Sequence, residues 1–421
     1  MFFCGRGADL LNNNAGMKKR VHHCCITVLL FFMLPVFARS QDKQPEKEIV
    51  QQKDIIDIIG RAFHKGTAKS PVIRAKKVYF SFLPFGTAVA GGGNALVTST
   101  TAGFYLGDIA GTSLSAATFS PYFTFDGRYG YTLRTSIYLN QDRWNIKGDT
   151  RFLYYPQYTW GLGGNSSANK ILMNYSYIRF YQTLLRKIRP YLFAGIGYHL
   201  DSHTDIETFS DSVSLQKFTG YRYGTSPDKN SFSSGVSLNL LYDGRKNLFN
   251  PLPGYYGNIV YRFNPKLLGS DYNWHSLYAD LRRYISFSVP EKQNMLAFWA
   301  FYWTALNQNV PYLDLPSIGW DPYRQRSGRG FDQNRYRGKG LLYFETEYRK
   351  DITQNGLLGF VLFANINSIS TPDSNQFSQL HPAAGGGLRF KFNKKSGTNI
   401  ALDYGFSKNH SGISINLGET F

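Results

Sequence analysis

The chain has 421 residues, among them 33 Phe, 30 Tyr and 41 Gly, with 47 Lys and Arg against 28 Asp and Glu for a formal net charge of +19. That length bounds it to one large domain or two modest ones, and the aromatic- and glycine-rich mix favours strands and turns over helices. After Pro35 no apolar run approaches the 18 or so residues of a membrane helix, which leaves a soluble β protein or a barrel whose apolar residues are spread over alternate positions.

From Met17 a basic start (Lys18, Lys19, Arg20) precedes an apolar core from Ile26 to Phe37 and small residues at Ala38 and Ser40. That is the layout of a secretory signal peptide over 17–40. Residues 1–16 lack any such pattern, so Met17 is the expected true start and 1–40 the expected leader. All three cysteines (Cys4, Cys24, Cys25) lie in it, so no disulfide framework or thiol chemistry is expected of the mature chain. Without the leader's five basic residues and one acidic residue the net charge is +15. For an exported surface protein this charge implies anionic lipid headgroups or a basic lumen, and export argues against nucleic acid as a partner.

Residues 41–70 place Ile49, Ile55, Ile56, Ile59 and Phe63 near helical spacing with charges between them. One short amphipathic helix is expected there, at the membrane surface or at the barrel end. From about Lys76 the period becomes two. Sixteen candidate strands run near 76–86, 93–106, 116–126, 130–140, 142–155, 170–184, 189–202, 232–243, 254–265, 274–287, 294–305, 340–350, 357–369, 384–393, 398–407 and 411–421, so residues 71–421 are expected to form one domain. Alternation is cleanest near the end: Ile400, Leu402, Tyr404 and Phe406 share one face, and Asn399, Ala401, Asp403 and Gly405 the other. In a soluble sandwich the apolar face would be core; in an outer-membrane barrel it meets lipid and the polar face lines the lumen. The leader, the strand number and the closing Phe421 favour an all-β, integral outer-membrane antiparallel barrel, which leaves no open edge in lipid.

Four stretches, YDGRKNLFNPLPGYY at 242–256, SGRGFDQNRYRGKG at 327–340, the strand pair LLYFETEYR and LFANINS, and the closing segment 389–421, together resemble the barrel of the BamA/TamA superfamily of outer-membrane assembly and translocation barrels, also called the bacterial surface antigen family. In YDGRKNLFNPLPGYY, Asp243, Arg245, Asn247, Pro251 and Gly254 fit the family's Asp-x-Arg and turn. In SGRGFDQNRYRGKG, Arg329, Gly330 and Phe331 match the tip of a long loop that folds back into the lumen, here 306–339. In the strands that follow, Glu347 matches the family's Glu, Glu345 lies one step away on the same face, and Asn365 stands where an Asp is usual. The resemblance implies that Arg329 is clasped by acidic residues of these strands. At the end of the sequence, Asp403, Gly405, Leu417, Gly418 and Phe421 match a final Asp-Tyr-Gly strand and Leu-Gly-x-x-Phe tail that mark the barrel for insertion. YYPQYTWGLG at 154–163 is similar to a further family strand and turn. The segment ahead of the barrel is too short for a POTRA module, so the resemblance is to a barrel-only member.

No His-Glu-x-x-His spacing and no Gly-x-Ser-x-Gly elbow appears, so no catalytic residue, metal or cofactor is expected. His275-Ser276 is the nearest approach to a hydrolase pair and reads better as strand filler. The expected partners are outer-membrane lipids and, as substrates, other outer-membrane proteins, with the chain itself a monomer. Two functions fit: insertion of proteins or lipids into the outer membrane through a weak seam between first and last strands, or a passive pore or structural surface protein that keeps the fold alone.

Overall fold

The computed structural model describes residues 52–58, 78–88, 94–108, 111–124, 127–164, 169–208, 213–225, 230–245, 250–251, 253–287, 292–323, 327–371, 376–394, 397–408 and 410–421. The expected leader lies outside them, as do most of 41–70 and Asn247 of the turn motif.

Among the described residues seventeen strands form one antiparallel sheet: β1 (Val78–Ala88), β2 (Asn94–Phe104), β3 (Ser115–Thr124), β4 (Tyr129–Leu139), β5 (Trp144–Tyr154), β6 (Gln157–Thr159), β7 (Ile171–Arg189), β8 (Leu192–Thr208), β9 (Ser231–Asp243), β10 (Gly254–Asn264), β11 (Trp274–Ser286), β12 (Asn294–Ala305), β13 (Gly340–Asp351), β14 (Leu358–Ile369), β15 (His381–Asn393), β16 (Thr398–Ser407) and β17 (Ser411–Leu417). The extra strand has a local cause. Tyr154 pairs with Ser176 and Gln157 with Met173, so β5 and β6 keep one register against β7. They are a single stave interrupted at Pro156, which has no N–H to give the ladder. The expected sixteen staves therefore stand. Each pairs with the next along the chain. Among the described residues β1 and β17 approach each other without a ladder between them.

Burial decides between sandwich and barrel. The apolar side chains are the exposed ones: Ile196 and Leu238 are 64% and 63% exposed, and Leu402, Tyr404 and Phe406 are exposed along β16. The polar face is buried, with Arg151, Glu345 and Glu347 all at 0%. A water-facing sandwich with this arrangement would waste its apolar area, at about 25 cal/mol per Å². A lipid-facing wall around a polar interior uses it, and the chain is an outer-membrane-type antiparallel β-barrel.

Successive staves alternate direction, so the β8 and β12 ends that meet β9 and β13 lie at one end of the sheet, and the ends joining β4 to β5, β7 to β8, β13 to β14 and β15 to β16, with the turns at 140–143, 190–191 and 352–357, lie at the other. The described part of the 41–70 segment docks at this second, short-turn end. Asp54 and Asp57 cap a helical turn reciprocally, Asp57 N to Asp54 Oδ1 at 2.7 Å and Asp54 N to Asp57 Oδ2 at 3.2 Å, the capping-box arrangement. The turn is held by polar contacts. Lys394 N donates to Asp54 Oδ2 at 2.8 Å, Lys394 Nζ pairs with Asp57 at 2.7 Å, and Lys53 N donates to the Asn355 carbonyl at 3.1 Å. Ile56 and Ile58 remain exposed.

Candidate functional site

The segment between β12 and β13 carries one 3₁₀ turn (Tyr312–Asp314) and little other regular structure. It nevertheless lies buried: Tyr312, Ser317, Ile318 and Asn334 have no exposed surface. Its backbone is tied to itself, Ile318 N to Tyr336 O at 3.0 Å and Gly338 N to Pro316 O at 3.0 Å. This fold-back offsets part of the cost of ordering so long a loop.

The loop tip meets the β13–β16 wall. Arg329 Nε donates to Glu345 Oε1 at 3.0 Å and Nη1 to Asp403 Oδ2 at 2.9 Å, while Nη2 bonds both Glu345 and Glu347. The guanidinium also covers the Phe363 ring, 3.6 Å from its centroid. Asn365 Nδ2 donates to the Arg329 carbonyl at 2.9 Å. Gly330 has φ +92, and a Cβ there would stand 2.9 Å from Phe406 N. A Cβ on Gly405 would stand 2.7 Å from Gly330 N. Two glycines facing each other thus let the loop backbone touch β16. Phe331 is half-buried beside Tyr336.

Arg329 is one corner of a larger ring. Glu347 also takes Arg349 Nε at 2.7 Å; Arg349 lies 4.0 Å from Glu419; Glu419 takes Arg389 Nε at 2.8 Å; and Arg389 Nη1 reaches Asp403 at 2.5 Å, returning to Arg329. Cations and anions alternate around it, and Glu345 adds a fourth carboxylate to three guanidinium groups. Buried charges of this kind survive only when paired and hydrogen-bonded.

Glu419 reaches the ring because the final strand is shorter than expected. β17 stops at Leu417, and Gly418 (φ +85) turns residues 418–421 into the lumen. Phe421 is fully buried, with its ring 5.3 Å from that of Trp299 on β12 and its carbonyl accepting from Arg349 Nη2 at 3.0 Å. The expectation of a strand running to Phe421 gives way to an inward tail, because a left-handed glycine breaks the extended run.

The other side of the loop meets the β5–β9 wall. Tyr155 Oη donates to Gln333 Oε1 at 2.7 Å, Arg179 Nη1 to the Pro322 carbonyl at 2.6 Å, and Ser233 Oγ to Asp314 Oδ2 at 2.7 Å. Behind these contacts Asp201 binds Arg262 Nη1 at 2.6 Å and accepts from Tyr177 and Tyr181 at 2.5 and 2.6 Å. The space left between loop and this wall, lined by Arg179, Arg262 and Trp320, is about 30 Å³, room for a water or two.

The turn motif lies apart, at the short-turn end. Arg245 makes two bonds of 2.8 Å to Asp243 and stacks over Tyr256 at 4.2 Å. Pro251 is buried, and a Cβ on Gly254 would meet the Gly244 carbonyl at 2.8 Å.

No protein-family model matches the sequence, and no curated protein matches it. Solved structures do. BamA from Haemophilus ducreyi lacking POTRA domains 1–3 is 14% identical, with a TM-score of 0.50 over 81% of this chain and 68% of that one. CdiB from Acinetobacter baumannii is 16% identical, with 0.53 over 82% and 60%. CdiB from Escherichia coli is 12% identical, with 0.54 over 82% and 63%. The chain thus spans less than two thirds of either CdiB. The resemblance drawn from the motifs extends to the whole barrel fold.

Proposed function

We propose that this chain is an outer-membrane assembly or translocation barrel that helps insert proteins or lipids through a seam between β1 and β17. One observation carries this reading. The tail that follows β17 and the tip of the lumen loop belong to one charged ring, so a displacement of the seam strand pulls directly on the loop. Gly412 within β17 weakens its pairing capacity further, and the fold shared with BamA and CdiB is consistent with the same class of work. The short-turn end, where residues 52–58 dock, would face the periplasm, because outer-membrane barrels carry short turns on that side.

The alternative, a passive pore, fits less well with a lumen crossed by a loop bonded to both walls. Depleting the protein and quantifying other outer-membrane barrels tests the first reading: their levels should fall, and unchanged levels would sink it. A large steady conductance from the purified protein in planar bilayers would favour the pore.

A further inference from the structure

The short-turn rim has a second feature, independent of the ring. Two neighbouring turns, 140–143 between β4 and β5 and 190–191 between β7 and β8, are joined by Lys187 N donating to the Arg143 carbonyl at 2.8 Å. Together they present Arg143, Arg186 and Arg189, while Lys187 stands opposite the buried Phe193 on the inner face. Among the described residues none of these three arginines makes an ion pair. The adjacent Asp142 carboxylate is engaged by Ser113, through its N–H at 2.7 Å and its hydroxyl at 2.6 Å. The nearby Asp243 is matched by Arg245.

Both turns are held in backbone conformations that side chains disfavour. Asn140, Gln141 and Asp142 have φ of 51°, 54° and 63°, and Tyr191 has 64°. Asn and Asp tolerate this region, whereas a Tyr there is strained. Tyr191 and Ile188 stand exposed beside the cations.

Register gives the rest. Across the outer face Trp144, Arg186, Ala194 and Leu240 stand side by side in one row, and the next row into the membrane is Ile146, Leu184, Ile196 and Leu238. Arg186 lies over the Trp144 ring at 5.8 Å. Ala194 leaves space next to it. An aromatic–cation row at the rim, with an apolar row next to it toward the membrane interior, matches a phosphate headgroup and the acyl chains behind it.

We infer that this rim is a binding site for an anionic phospholipid of the periplasmic leaflet, its phosphate held by Arg143, Arg186 and Arg189 and its chains laid along Ile146, Leu184, Ile196 and Leu238. The site is readable by fluorescence, since of the six tryptophans only Trp144 is not buried. The protein is reconstituted in phosphatidylcholine vesicles containing brominated phosphatidylglycerol or, at equal mole fraction, brominated phosphatidylcholine. Quenching of Trp144 is the difference between the parent and Trp144→Phe. The anionic lipid should be enriched about fivefold at the site and quench correspondingly more. That excess should vanish in Arg186→Gln/Arg189→Gln and in about 0.5 M salt, where screening is strong. Arg189→Gln alone should lose part of it, should the double variant fail to fold. Equal quenching by the two lipids, or an excess untouched by the substitutions, would overturn the inference.

Discussion

The two lumenal networks use the same residue types and differ in who supplies the cation. On the β7–β10 wall the arginines and the carboxylate all belong to strands: Arg179, Asp201 and Arg262 are fixed by the ladder, and the loop touches them chiefly through its Pro322 carbonyl. On the β13–β17 wall the strands supply a surplus of acid that only Arg329 of the loop brings near balance. The first network would persist without the loop; the second would keep its strand and tail pairs but leave Glu345 with no cation. Loop position is therefore written into one wall as an electrostatic demand and into the other as a fit.

Substitutions that separate the two networks test this contrast. Arg329→Ala leaves three mutually close carboxylates short of a partner and should cost on the order of 3–5 kcal/mol. It should lower heat resistance on cold gels and raise ion conductance in planar bilayers; wild-type values for both would refute the clasp of Arg329 as what holds the loop. Phe421→Ala removes a ring packed on Trp299 and should cost about 3 kcal/mol, seen as a lower unfolding temperature, with a smaller rise in conductance. Asp201→Asn should lower heat resistance by about 2–3 kcal/mol while conductance stays put, since the loop keeps its tip anchored; a conductance rise equal to that of Arg329→Ala would erase the distinction between walls. Glu345→Gln removes the surplus charge and should cost under about 1 kcal/mol, because a neutral amide oxygen still accepts from the guanidinium; double-mutant cycles with Arg329 would measure it.

The smallest effect lies outside the wall. Burial works to raise the Asp57 carboxyl, but the Lys394 ammonium and the Asp54 N–H outweigh it and hold the group below its usual range. A depressed carboxyl stabilises its contact above the unfolded value near 4 and loses that as pH falls through the lowered one. Protection of residues 52–58 from protease should accordingly weaken only in strong acid, and Lys394→Ala should flatten that dependence.

Period two made the faces of β13 and β16 legible in the sequence, with Glu345 and Glu347 on one face and Asp403 on the polar face that an outer-membrane barrel turns to its lumen. The partnership was not. The motif pointed from Arg329 to position 365 on β14, whereas the third carboxylate comes from Asp403 on β16, brought within reach by wall curvature that linear spacing does not encode. Asn365 supports the loop backbone in place of its charge. The inward tail was hidden for a similar reason: Leu417-Gly418 reads equally as a strand with a glycine in it or as its end, and only the left-handed φ decides.

That tail constrains the order of events during folding. Residues 418–421 lie inside the wall, with Phe421 seated against Trp299 on β12, so β17 takes its place beside β1 only with or after their entry. The final segment of the wall to be laid is thus also the one that must first deliver its own contents, and a slow closing phase sensitive to Phe421 is the kinetic signature this architecture implies.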